Sequence, residues 1–233
     1  MRVPILSERD IEERAAEILA DYSRKTGRTI TFPIPIERMI DVTFDIPILW
    51  EHIPTRGTQL IVSKITQPMF NLPSRIVLNE DLRDTVFRKY PGLEQTALAH
   101  EAGHSLFHID HSLVKQLGFE SMYCHEFLTE ASMLTNPLDE IRSQLGPIGD
   151  DWWREWQAHT FMRYLLMPQA LLQPFVEEGQ HLTWPGLYAL RDRLQVTISA
   201  LVVHLQKLEI IRIDDGRRIH DLTSQTRGQL SFD

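Results

Sequence analysis

The sequence predicts an α+β fold: a small antiparallel-type sheet with two long helices set against it, followed by a small helical unit. Three observations predict it. Three short runs rich in β-branched residues, VTFDIPILW (42–50), QLIVSKI (59–65) and SRIVLNE (74–80), are bounded by Pro and Gly, as hairpin or meander strands are. Two segments, 92–110 and 152–166, combine helical periodicity with histidines and acids. From 181 onward two helices, a tight turn and a hairpin follow in close succession. The 233 residues suffice for one good-sized domain or a domain with an appendage. We divide them at 1–180 and 181–233.

The first element is a helix. Ser7 and Asp10 form a capping-box pattern, with Asp in place of the usual Glu. Ile11, Ala15, Ile18, Leu19 and Tyr22 then share one helical face, and Gly27 is the stop. Pro33 and Pro35 break the chain before a short helical turn at Ile36–Ile40. The three β-runs come next. Pro47 places the first at a sheet edge or interrupts it. Pro91-Gly92 opens the histidine helix, whose core stripe is Leu98, Ala102, Leu106 and Ile109. A helix is expected around 125–143, then the breaker run GPIGDD. The second long helix runs from Trp152 to Leu166, where Met167-Pro168 ends it. Beyond 181, LTWPGLYALRDRL and ISALVVHLQKL read as helices joined at QVT, and IIRI-DDG-RRIH as a hairpin around an Asp-Gly turn. That order is the outline of a winged-helix-like unit.

Bulk properties exclude several classes. No apolar run approaches the ~20 residues that cross a bilayer. The opening MRVPILSERDIEER turns acidic and helical at once, without the apolar core of a signal peptide. One cysteine, Cys124, makes no internal disulfide, so a cytoplasmic location is expected. The net charge is −8. The 181–233 unit carries 7 Lys and Arg against 6 Asp and Glu, too little positive charge to attract phosphate, so direct DNA binding is not expected.

The chemistry concentrates in 97-ALAHEAGHSLFHIDH-111. His100, His104, His108 and His111 recur at helical spacing and point the same way. His100-Glu101-Ala102-Gly103-His104 fits H-E-x-x-H. Histidines one turn apart place two imidazole nitrogens on one Zn2+, and the intervening glutamate projects beside the metal as a general base. A chain of this composition meets the pattern by chance about three times in a hundred, so its place on an independently expected helix matters. His108 and His111 are expected to support the ligands or line the cleft.

A catalytic zinc needs a third protein ligand. Asp110 and Phe107 stand where a metzincin layout requires His and Gly, so the ligand is sought on the following helix. Glu120, His125, Glu126, Glu130, Asp150, Asp151, Glu155 and His159 are available. Glu155 is chosen because it lies on a strongly patterned helix, with an apolar side for the core and His159 one turn on to orient the site. Gln157 lies about 200° around the helix from Glu155 and is not expected to bear on the metal.

HEAGHSLFH followed by E-W-Q-A-x-x-F-x-x-x-LLMP resembles the ImmA/IrrE family of zinc metallopeptidases. SRIVLNED is similar to that family's strand before the active-site helix, and VTISALVVHLQKLEII to the small helical unit that follows it. The resemblance covers residues 30–215, and His159 stands where the family carries Asn or Asp. It implies a zincin-like fold and a cytoplasmic endopeptidase that cuts a protein substrate such as a helix-turn-helix repressor or antitoxin-like regulator.

Two other classes compete with the peptidase. One is a metal-bound, proteolytically silent regulator that holds a transcription factor. The other is a DNA-binding protein using 181–220. Tyr123, Tyr164 and His125 are candidates to stabilise the developing oxyanion.

Overall fold

The computed structural model describes residues 5–54, 59–66, 74–90, 92–109, 124–130 and 150–223. Helix α1 (Glu8–Thr26) begins as its sequence dictates. The Ser7 side chain accepts from the Asp10 N–H, and the Asp10 carboxylate accepts from the Ser7 N–H at 2.8 Å, closing the capping box. Gly27, at φ 67°, ends it in the left-handed conformation. The face Ile11, Ala15, Ile18, Leu19 and Tyr22 is buried.

The first β-run behaves differently from expectation. After α2 (Ile36–Met39) the chain continues as a widened helical turn through Ile40–Phe44. Asp45, left-handed at φ 53°, ends that turn, and Pro47 follows. Only β1 (Ile48–Glu51) is left to pair. Val42 and Thr43 favour strands, but that preference is weak beside a helix already under way.

Strands β2 (Gln59–Thr66), β3 (Arg75–Asn79) and β4 (Cys124–Glu130) complete a four-stranded sheet in the order β1-β3-β2-β4. Two pairings, β2 with β3 and β2 with β4, are antiparallel. The third corrects the antiparallel-type sheet: β1 runs parallel to β3, with Ile48 opposite Ile76. A meander would have seated β1 beside β2, but that edge of β2 is taken by β4. The strand β4 also replaces the start of the helix expected around 125–143, and residues 131–149 lie outside the described residues. Its Cys124, His125 and Glu126 pair with Thr66, Ile65 and Lys64. Buried Asn79 fastens the end of β3, donating from Nδ2 to the Ile53 and Ile61 carbonyls at 3.0 and 2.8 Å.

Helix α3 (Leu93–His108) lies between this sheet and helix α4 (Asp150–Leu166). Helix α4 also packs on α1, and its second half is buried nearly all round, from Gln157 to Met167. Helix α5 (Gln169–Glu177) follows.

Helices α6 (Trp184–Leu194) and α7 (Ile198–Lys207) and the hairpin β5 (Ile211–Ile213) and β6 (Ile219–Asp221) appear in the expected order. The hairpin turn is not the two-residue Asp-Gly type. Asp214 O accepts from Arg217 N, Arg218 O accepts from Asp214 N, and Arg217 rather than Gly216 is left-handed, at φ 59°. The loop therefore has three residues, a turn followed by a left-handed position.

This last unit shares one hydrophobic core with the rest, a cluster that runs from Ile11 to Ile211. Gly92, at φ 83°, is where it docks. A Cβ there would lie 2.4 Å from the Val196 backbone, so only glycine fits. Beside it Thr96 Oγ1 accepts from the Thr197 N–H at 3.2 Å. On α7, fully buried His204 donates from Nε2 to the Met167 carbonyl at 2.8 Å. No helix among the described residues is long and apolar enough to cross a membrane.

Burial pushes the His204 pKa down from 6.5 to about 3, and the Arg163 charge adds to the effect. Between those values the unfolded chain takes up a proton that the folded chain refuses. The stability is whole above pH 6.5 and is lost as pH falls toward about 3. This group alone should lower stability by about 2 kcal/mol between pH 7 and pH 5. In His204→Gln, which keeps a donor toward Met167, urea denaturation at the two pH values should show that slope flattened.

Candidate metal centre

The centre forms where α3 and α4 touch. On α3, small residues Ala97, Ala99, Ala102 and Gly103 let the helix sink between sheet and α4, so His100, Glu101 and His104 are all 0 % exposed. A solvated helix face is thereby excluded. At Gly103 a Cβ would stand 3.1 Å from Ala158 Cα and 3.2 Å from Phe161 Cδ1, closer than most such contacts allow. Gly103 and Ala158 thus set the distance between the helices, and that distance brings Glu155 to the two histidines.

His100, His104 and Glu155 each offer one ligand atom, and these atoms all lie within 4.8 Å of one another. His100 Nε2 and His104 Nε2 are 3.0 Å apart. Glu155 Oε2 stands 3.6 Å from His100 Nε2, and Glu155 Oε1 stands 3.5 Å from His104 Nε2. The three side chains can hold one metal ion. Glu155 keeps 37 % of its side-chain surface exposed, so the cluster opens on its side and is closed on the histidine side.

The sequence placed four imidazoles in a row, and the structure has four, though with one change of member. His159, His100, His104 and His108 stand in line, with ring centroids 4.5, 4.6 and 4.9 Å apart. His159 comes from α4. His111 lies outside the described residues. The expected supporting positions of His108 and His159 are thus adjacent to the ligand set, one at each end.

Glu101 turns from the ligand stripe toward the sheet. Its Oε1 accepts from Ser63 Oγ at 2.7 Å, with both side chains fully buried. Ser63 follows a β-bulge. Ile61 faces Leu128 and Ser63 faces the adjacent Phe127, so Val62 is the extra residue on β2. The bulge directs Ser63 at Glu101, a contact with no signal in the linear sequence.

Gln157 requires a correction. It does leave the Glu155 face, but it is 0 % exposed and its Oε1 stands 3.0 Å from His108 Nε2. His108 Nδ1 in turn stands 2.9 Å from His104 Nδ1. Gln157 therefore reaches a ligand histidine through a third residue, which no comparison of faces on a single helix could reveal. Tyr164 is remote from the centre. Its hydroxyl donates to Glu8 at 3.4 Å and its ring meets His204 at 5.1 Å, while desolvation and the Glu8 charge push its pKa up to about 12. Tyr123 lies outside the described residues. Trp152 and Trp156 share a face of α4, as their spacing predicts, with rings stacked at 6.4 Å and 11°.

No family model matches the chain, and no curated protein matches it.

The closeness of the helices can be tested at Gly103. Alanine there gains up to about 1 kcal/mol of helix propensity, which offsets part of its clash and blurs the result. Gly103→Val gains less propensity than alanine and adds two more methyl groups to the clash. It should separate α3 from α4 and weaken metal binding by about tenfold or more, with all three ligands in place, as read by chelator competition.

Proposed function

We propose that this protein is a zinc-dependent endopeptidase of the ImmA/IrrE kind, acting on a protein substrate. The observation that carries the reading is the convergence of His100, His104 and Glu155 on one point, beside a buried glutamate one residue from the first ligand. Tetrahedral zinc with ligand bonds of 2.0–2.1 Å spaces its donor atoms about 3.3 Å apart. The observed separations of 3.0, 3.5 and 3.6 Å bracket that value. Two imidazoles and one carboxylate also form a familiar catalytic donor set, which leaves a fourth position for chemistry.

Zinc, when bound, supplies Lewis acidity, polarising a peptide carbonyl and acidifying water. The chain's own residues do the proton work. Glu101 takes a proton from the attacking water as its oxygen bonds to the carbonyl carbon. The C–N bond then breaks, and Glu101 passes the proton to the departing amine. Ser63 holds one carboxylate oxygen, which fixes the direction of the other. The family resemblance supports a DNA-binding regulator as substrate and a cytoplasmic site of action.

Glu101→Gln should bind zinc as the wild type does and lose about 10²–10⁴-fold in cleavage rate. A helix-turn-helix repressor encoded beside the protein is the first substrate to try. Near-normal cleavage by this variant at one zinc per chain would remove Glu101 from the role. Stoichiometric zinc in the wild type, with no cleavage of a partner it binds, would identify a silent regulator instead. Ser63→Ala should lower the rate about 10–100-fold with zinc content unchanged, since one hydrogen bond to a charged group contributes about 1.5–3 kcal/mol.

A further inference from the structure

We propose that Gln157 and His108 form a hydrogen-bonded relay that holds His104 in the one tautomer able to bind metal. Gln157, outside the ligand set, would thereby govern metal affinity. The inference rests on the metal-centre reading and is independent of the peptidase reading.

The relay follows from proton bookkeeping. An amide oxygen only accepts, so Gln157 Oε1, at 3.0 Å, requires the proton of His108 on Nε2. A neutral imidazole carries one N–H, so His108 Nδ1 is then an acceptor. His104 Nδ1, 2.9 Å away, must supply the proton. That leaves His104 Nε2 with its lone pair, and this is the atom that lies 3.0 Å from His100 Nε2 and 3.5 Å from Glu155 Oε1. Turning the amide over reverses every step. His108 Nε2 would accept, His108 Nδ1 would donate, and the His104 proton would move to Nε2, directed into the ligand cluster. One carbonyl on α4 therefore biases which nitrogen of a histidine on α3 is free to bind. Gln157 and His104 are both 0 % exposed, so the two ends of the relay lie inside the protein and bias the tautomer from there.

A packing role and a relay role make different predictions. Gln157→Met conserves volume but has no acceptor of comparable strength. Gln157→Glu keeps the acceptor and cannot present a donor while ionised. Zinc affinity is measured by chelator competition at pH 8. The long-range proton–nitrogen spectrum of the metal-free protein reports the His104 tautomer. Gln157→Met should weaken zinc binding by about 10–100-fold and move the His104 proton off Nδ1. Gln157→Glu should stay within a few-fold of the wild type, with the proton on Nδ1. Unchanged affinity and tautomer in Gln157→Met, or equal losses in both variants, would overturn the relay while leaving the metal centre intact. A wild-type chain that binds no zinc would overturn both.

Discussion

The close contact of α3 with α4 is the constraint on which the rest depends. Two helices normally pack 8–10 Å apart, according to the side chains between them. Here Gly103 meets Ala158, and almost no side chain intervenes. Only at such a distance can a glutamate, with a short stem, reach two histidines on the neighbouring helix. The same contact puts Phe107 edge-on to Phe161 at 5.5 Å, and Gln157 within reach of His108. Ligand, support and packing thus share one interface, and a volume error there disturbs all three.

That interface is costly to build. Three titratable side chains, His100, Glu101 and His104, together with the amide of Gln157, all at 0 % exposure, bring polar groups into a core made mostly of aliphatic and aromatic side chains. Each buried polar group left unpaired costs several kcal/mol at the upper end. The arrangement offsets this by linking the groups to one another: Ser63 to Glu101, His100 to His104, His104 to His108, His108 to Gln157. Networks of this kind are stable when complete and fail badly when one member is removed. A cation at the His–His–Glu cluster would supply the charge that orders the donors around it.

Much of this was legible in the sequence, and what was legible was local. The α1 capping box and buried face and the histidine helix follow from spacings within one segment. The pattern of its own helix singled out Glu155, which the structure brings close enough to His100 and His104 to share a metal ion. What the sequence did not disclose depends on contacts between segments. Residues 42–44 look like strand because Val and Thr favour one, yet the preceding turn captures them. Parallel pairing of β1 with β3 depends on which edge of β2 is occupied. Ser63 is an ordinary strand serine until a bulge turns it toward Glu101. Gln157 was excluded by a correct angle on its own helix, because its partner is on another.

The C-terminal unit shows how order of elements and use can part. Helix, turn, helix, hairpin is the order of a DNA-reading module, in which the second helix enters the major groove. Here that second helix, α7, is buried through eight consecutive residues, Ile198 to Leu205. Its N-terminus is fixed against Gly92 and Thr96, and its His204 against the Met167 carbonyl. A helix so enclosed cannot enter a groove without leaving the core, and the charge of +1 on this unit offers little to offset that loss. What α7 does instead is structural. It braces the start of α3 and the end of α4, the two helices that carry the ligands. The unit's bearing on the candidate metal centre is therefore indirect: it contains none of the three candidate ligands, yet it packs on both of the helices that carry them.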